Sequence, residues 1–150
     1  MLVRDIMTKN VVTVSPETKV VDVAEILFKN KFHGVPVVRD NEVVGIITAT
    51  DFFTKGTESF FLPTYIKFLG KNVNMEKLND FQREKVKKLL DAKVEDIMSR
   101  NCVTVMADMR VEDVMEFFKT TKFSTFPVTD EKNLLIGIVT LADILGSIKI

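Results

Sequence analysis

The chain has 150 residues and carries 21 Lys plus Arg against 21 Asp plus Glu, so its formal net charge is zero; without an excess of clustered cations, nucleic-acid binding is disfavoured. Cys102 is the only cysteine and His33 the only histidine, which excludes an internal disulfide and a zinc site built from four Cys/His ligands. The N-terminus lacks an apolar h-region, and no run reaches the ~18 to 20 apolar residues of a membrane span, so a reducing cytoplasm is the expected setting.

In chain order, Val12-Thr13-Val14 is a short β-rich run. Val20, Val23, Ala24 and Leu27 then recur at helical spacing, with Asp22 in the favourable first turn. Val35-Pro36-Val37-Val38 and Val43 to Ile47 predict two strands, joined by a polar, solvated turn over Arg39 to Glu42. Pro36 places its strand at an edge, or itself at a strand start, because proline donates nothing to a ladder. A second helix begins near Thr50. The unit therefore reads β-α-β-β-α. Phe60 to Leu69 follows, dense in large apolar groups, and Leu78 to Leu90 has the spacing of an amphipathic helix. This stretch either covers the core of its own chain or forms an oligomer contact or a lid.

From Val94 the first unit repeats. Val3-Arg-Asp-Ile-Met-Thr-Lys-Asn-Val-Val-Thr-Val14 matches Val94-Glu-Asp-Ile-Met-Ser-Arg-Asn-Cys-Val-Thr-Val105 at an offset of 91. After one inserted residue, Gly45-Ile-Ile-Thr-Ala-Thr-Asp51 matches Gly137-Ile-Val-Thr-Leu-Ala-Asp143 at 92. The chain thus divides into residues 1–54, an insert over 55–92, and residues 93–150. Units this short are marginal alone, so the two copies are expected to pack together.

Thr48, Thr50 and Asp51 lie where a strand passes into a helix, as do Thr140 and Asp143. Hydroxyls and a carboxylate there suit a phosphate and a ribose, but Ser/Thr-x-x-acid is equally a capping box, and Asp51 could simply cap. His33 is either a donor to a phosphate or a surface residue. Asp5 and Asp96 are expected to brace the leading segments, Cys102 to behave as a small hydrophobe, and the turn over Asp130 to Lys132 to be solvated. There is no Gly-x-Ser-x-Gly elbow, no Walker loop and no nucleophile with a base, so an enzyme is not expected.

The succession Asp-Ile-Met, Val-Thr-Val, an amphipathic helix, Phe-His-Gly-Val-Pro-Val-Val and Gly-Ile-Ile-Thr-x-x-Asp, occurring twice, resembles the CBS domain, and the two copies resemble a CBS pair or Bateman module. The resemblance covers about residues 1 to 54 and 93 to 148. It implies a mixed α/β (α+β) fold of two β-α-β-β-α units about a pseudo-twofold axis, with a helical insert between them. It also implies two related cleft sites for an adenosine ligand such as AMP, ADP, ATP or S-adenosylmethionine. By the resemblance, Asp51 and Asp143 hold ribose hydroxyls, while Thr48, Thr50 and Thr140 hold phosphate or ribose. Val12, Thr13, Val103 and Thr104 contact adenine, largely through backbone. His33-Gly34-Val35 and Ser124-Thr125-Phe126 occupy the phosphate-clamp position, where the arginine of some relatives is absent. The implied role is a stand-alone regulatory sensor, a homodimer whose geometry responds to the ligand and acts on an unidentified regulated protein. The alternative is a structural or protein-interaction module with empty or degenerate pockets.

Overall fold

The computed structural model of the chain describes residues 1–54, 76 and 79–148. The Phe60 to Leu69 stretch lies outside these residues, as does Leu78 at the start of the expected amphipathic helix. The first copy contains α1 (Val3–Ile6), α2 (Val20–Asn30), β1 (Gly34–Arg39), β2 (Glu42–Thr48) and α3 (Asp51–Thr54). Helix α4 (Asp80–Asp91) leads into the second copy, which contains α5 (Val94–Ile97), β3 (Val105–Met106), α6 (Val111–Thr120), β4 (Thr125–Thr129), β5 (Leu135–Thr140) and α7 (Leu141–Ser147). The order expected from the repeat is therefore present twice. The first strand is the weakest part: β3 has two residues, and its counterpart is a single parallel bridge from Val14 to Val37.

Strands β1 and β2 form an antiparallel pair, and β3-β4-β5 form a three-stranded sheet with β3 parallel to β4. The prolines stand inside their strands, not at the start: Pro36 pairs with Ile46 and Pro127 with Ile138. Strand β1, which holds Pro36, has an edge position in its two-stranded sheet, as expected, whereas β4, which holds Pro127, is central in its own. Both are tolerated because the neighbouring first strand is so short. The Val14 N–H donates to the Pro36 carbonyl at 3.2 Å, and the Val38 N–H donates to the Val14 carbonyl at 2.9 Å. Pro36 itself has no N–H with which to extend this short ladder toward residue 12.

There are two cores, and each borrows from the other copy. Val20, Val23, Ala24, Leu27, Val35, Val37, Ile47 and Phe52 are joined by Val94, Ile97 and Met98. Val105, Val111, Val114, Phe126, Val128, Val139 and Ile144 are joined by Val3. The leading segments are thus exchanged. Val3 and Arg4 donate to the carbonyls of Met109 and Ala107, while Val94 and Glu95 donate to those of Thr18 and Pro16, at 2.8–3.0 Å. Thr8 exchanges backbone bonds with Ile138, as Ser99 does with Ile46. Asp5 and Asp96 brace these segments as expected, accepting from the Leu2 and Lys93 N–H groups at 2.8 Å. The approach is close enough to require glycine on the receiving strands. A Cβ at Gly45 would lie 2.8 Å from the Ser99 carbonyl oxygen, and one at Gly137 would lie 2.9 Å from that of Thr8.

The hairpin tips are exposed at Arg39 to Glu42, Glu131 and Lys132, as expected, and they also hold the copies together. Asn41 and Asn133 adopt left-handed backbone, φ 65° and 64°, a conformation asparagine tolerates. Asn41 donates through Nδ2 to the Leu135 carbonyl at 3.3 Å, and Asn133 does the same to the Val43 carbonyl at 2.9 Å. The reciprocity is that of a pseudo-twofold axis passing between the tips. Helix α4 packs on α2, and Leu90 joins the first core.

Candidate functional site

The Thr-x-x-Asp segments make the same carboxylate bonds in both copies. Each begins where a strand ends, and the aspartate three residues on reaches back to the threonine. Asp143 Oδ2 accepts from the Thr140 N–H at 2.8 Å and from its hydroxyl at 3.1 Å. Asp51 Oδ2 accepts from the Thr48 N–H at 2.8 Å and from its hydroxyl at 3.2 Å. At Thr140 the Asp143 N–H also donates back to the threonine hydroxyl at 3.2 Å, which completes a capping box there.

The remaining carboxylate oxygens differ. Asp51 is 2% exposed, and its Oδ1 accepts from the Ser99 hydroxyl at 2.8 Å. The Thr48 hydroxyl also lies 2.8 Å from that of Thr50. Asp143 is half-buried, and among the described residues no protein donor reaches its Oδ1. Ala142 replaces Thr50 beside it.

Asp143 borders a cavity of about 670 Å³ assembled from both copies. One wall comes from β5 and α7: Ile138, Thr140, Leu141, Ala142 and Leu145, with Ser124 and Thr125 of β4 and its approach. The other comes from the exchanged leading segment and the α2–β1 turn: Thr8, Asn10, Val12, Lys31, Phe32, His33 and Gly34. Val12, Phe32, Leu141 and Leu145 are large apolar residues left 36–60% exposed, and all four converge here. Such a lining suits a flat, weakly polar ring, with a few polar groups to orient it. Lys31, the left-handed cap of α2 at φ 54°, is the one lysine or arginine among the described lining residues.

Of the positions expected from the sequence, Val12, His33, Gly34, Ser124, Thr125, Thr140 and Asp143 meet in this cavity. Val35 and Phe126 are 1% and 0% exposed, so their side chains belong to the cores. Phe126 takes edge-on contacts from Phe117 and Phe118. Thr13, Val103 and Thr104 are half-buried outside it, and Thr48, Thr50 and Asp51 form the separate cluster closed by Ser99. Cys102 is half-buried, and burial pushes its thiol above the ordinary value, consistent with a small packing group. Thr8, Asn10, Lys31, Leu141, Leu145 and Ser99 were not foreseen. Thr8 and Ser99 carry one legible sign, since both follow Asp-Ile-Met. Their role depends on the exchange of segments, which local pattern does not show. Among the described residues no acidic, His or Cys cluster could hold a metal, and no helix is long and apolar enough to cross a membrane.

Comparison with known proteins finds matches over both copies. The model of the CBS domain matches residues 3–57 and 94–150. Two uncharacterized proteins of Methanocaldococcus jannaschii are 30% and 31% identical over 144 and 155 residues. The match covers 96% and 99% of this chain, but the chain spans 46% of the first relative's length and 91% of the second's. Among solved structures, that of CBSX2 in complex with AMP superposes with a TM-score of 0.72 at 29% identity, covering 97% of this chain and 94% of that one; CBSX2 is from Arabidopsis thaliana. The CBS domain pair of protein MJ0100, in complex with 5′-methylthioadenosine and S-adenosyl-L-methionine, gives 0.68 at 27% identity, covering 97% and 94%.

Proposed function

The chain belongs to the CBS-domain family and carries a pair of its repeats, and from this premise we propose that it is a regulatory protein, not an enzyme, which binds an adenosine ligand between the copies. The candidates are AMP, ADP, ATP and S-adenosylmethionine. The observation that carries this reading is the apolar cavity ending on the unfilled Oδ1 of Asp143. Ribose hydroxyls donate to Asp143, the adenine ring lies against the exposed apolar side chains, and its amine donates to the Val12 carbonyl. AMP bound to CBSX2, and the two adenosine compounds bound to the MJ0100 pair, support the ligand class. Ser124, Thr125, His33 and Lys31 are the donors left for the rest of the ligand.

The cavity is built from both copies, so a ligand that fills it favours one relative placement of them over another. That difference in affinity is what a signal requires. The protein acts as a homodimer in the cytoplasm, and the change of placement is passed to a regulated protein. Titration calorimetry with AMP, ATP and S-adenosylmethionine tests the reading. A ligand binding only the folded chain adds about 2.7 kcal/mol of stability at a hundredfold excess over its dissociation constant, so a melting shift must accompany the heat. If none of the three gives heat or a shift at millimolar concentration, the protein is instead an interaction module. Light scattering that returns 17.0 kDa, the mass of one chain, overturns the dimer.

A further inference from the structure

We propose that the two related sites are not equivalent: the Asp143 cavity takes one adenosine ligand per chain, while the Ser99 hydroxyl holds the Asp51 carboxylate out of use. This rests on the reading of Asp143 as a ribose acceptor and adds a stoichiometry and a residue that sets it.

A ribose diol is gripped by a carboxylate with a free oxygen facing the ligand. Asp51 has three donors from its own chain: two from Thr48 on Oδ2, and Ser99 on Oδ1 at 2.8 Å. Hydrogen bonds to an ionised group are the stronger kind, and this carboxylate is 2% exposed. A ligand would have to displace Ser99 inside the protein, so it gains only the difference between two similar bonds. Asp143 has the Thr140 pair alone, is half-buried and faces open space.

The backbones do not explain the difference. Thr8 is bonded to Ile138 as Ser99 is to Ile46, at 2.8–3.0 Å in each direction. The side chain does. Threonine's extra methyl group restricts χ1, and Thr8 lies exposed on the cavity wall, whereas the unbranched Ser99 turns onto Asp51.

Calorimetry on the full chain with AMP, or with S-adenosylmethionine if AMP gives no heat, decides the matter. The expected result is one ligand per chain for the wild type, at least a tenfold loss of affinity for Asp143→Asn, and a second ligand per chain for Ser99→Ala. Ser99→Thr, which copies residue 8, should open the same second site and serves if Ser99→Ala does not fold. Two equal ligands per wild-type chain overturn the inference and leave the adenosine reading standing. Folded Ser99 variants that still bind one ligand overturn the role of Ser99. No heat from either compound overturns the adenosine reading, and this inference with it.

Discussion

Asp51 and Asp143 stand at corresponding points of a repeat, accept the same bonds from the threonine three residues before, and still end in opposite states. One is enclosed with both oxygens bonded; the other lines a cavity and has an oxygen that no donor reaches among the described residues. The aligned lysines diverge in the same direction. Lys31 lines the cavity, while Lys122 lies 5.5 Å from the centroid of the Phe123 ring beside it. Duplication preserves the backbone, which the cores and glycine contacts hold in place, but it does not preserve what each polar side chain is bonded to. In one copy the carboxylate is taken up by the protein's own donors, and in the other it is the group we propose for a ligand.

Removing the two aspartates is the sharpest way to break this comparison. Asp51→Ala should lower the unfolding free energy by about 2 to 4 kcal/mol, since a cap is lost and buried donors lose their acceptor. Asp143→Ala should lower it by about 1 kcal/mol, the usual worth of a cap alone. Urea denaturation of the ligand-free proteins measures both, and equal losses would erase the distinction. In binding the weight falls on the other residue. Asp143→Ala should weaken AMP by about ten- to a hundredfold, because a hydrogen bond to a charged group contributes about 1.5 to 3 kcal/mol. Wild-type affinity in that variant would remove Asp143 from the site.

The lysines give a finer test. Lys31→Ala should reduce AMP affinity by up to about fivefold, the range of an exposed charge pair, and leave adenosine nearly unchanged, whereas Lys122→Ala should affect neither. An equal loss for AMP and adenosine would mean that Lys31 acts through its methylene stem and not its charge.

How much of this could be read beforehand depended on whether the relevant physics was local. Val20, Val23, Ala24 and Leu27, the β-branched runs and the Thr-x-x-Asp caps all act through neighbours in sequence, and each lies where its pattern placed it. The destination of Val3 and Val94 is set by packing about a hundred residues away in one case and more than seventy in the other, which no periodicity encodes. Ser99 and Thr8 align as equivalents, and only three-dimensional bonding separates them. The asparagines at the hairpin tips carry turn chemistry, but their amides find partners solely because the other hairpin lies opposite.

The smallest expected effect concerns the surface of α6. Arg110 donates to both oxygens of Asp113, at 3.0 and 3.1 Å, and that hydrogen bond holds the Asp113 carboxyl below its ordinary value of 3.8. A value depressed in the folded chain means support that is fully present above 3.8 and is lost as the pH falls through the lowered folded value. Thermal unfolding of Asp113→Asn should therefore show a slight deficit at neutral pH that closes in acid. A deficit that widens in acid contradicts the assignment. The pair is exposed, and among the described residues the aligned Asp22 in α2 takes no ion pair, so the contrast between copies extends to their surfaces.

The crossed leading segments also decide how this chain can be assembled. A single repeat cut free would carry its first residues with nothing of its own to receive them, and could complete its core only by meeting a second copy. Joining two repeats in one polypeptide makes that meeting intramolecular, at an effective concentration well above what separate pieces reach. The molecule is in this sense a tethered dimer. Val3 must find Met109, and Val94 must find Thr18, before either core closes. Contacts of such long sequence separation are slow to form, so neither half can be completed while the other is still unfolded.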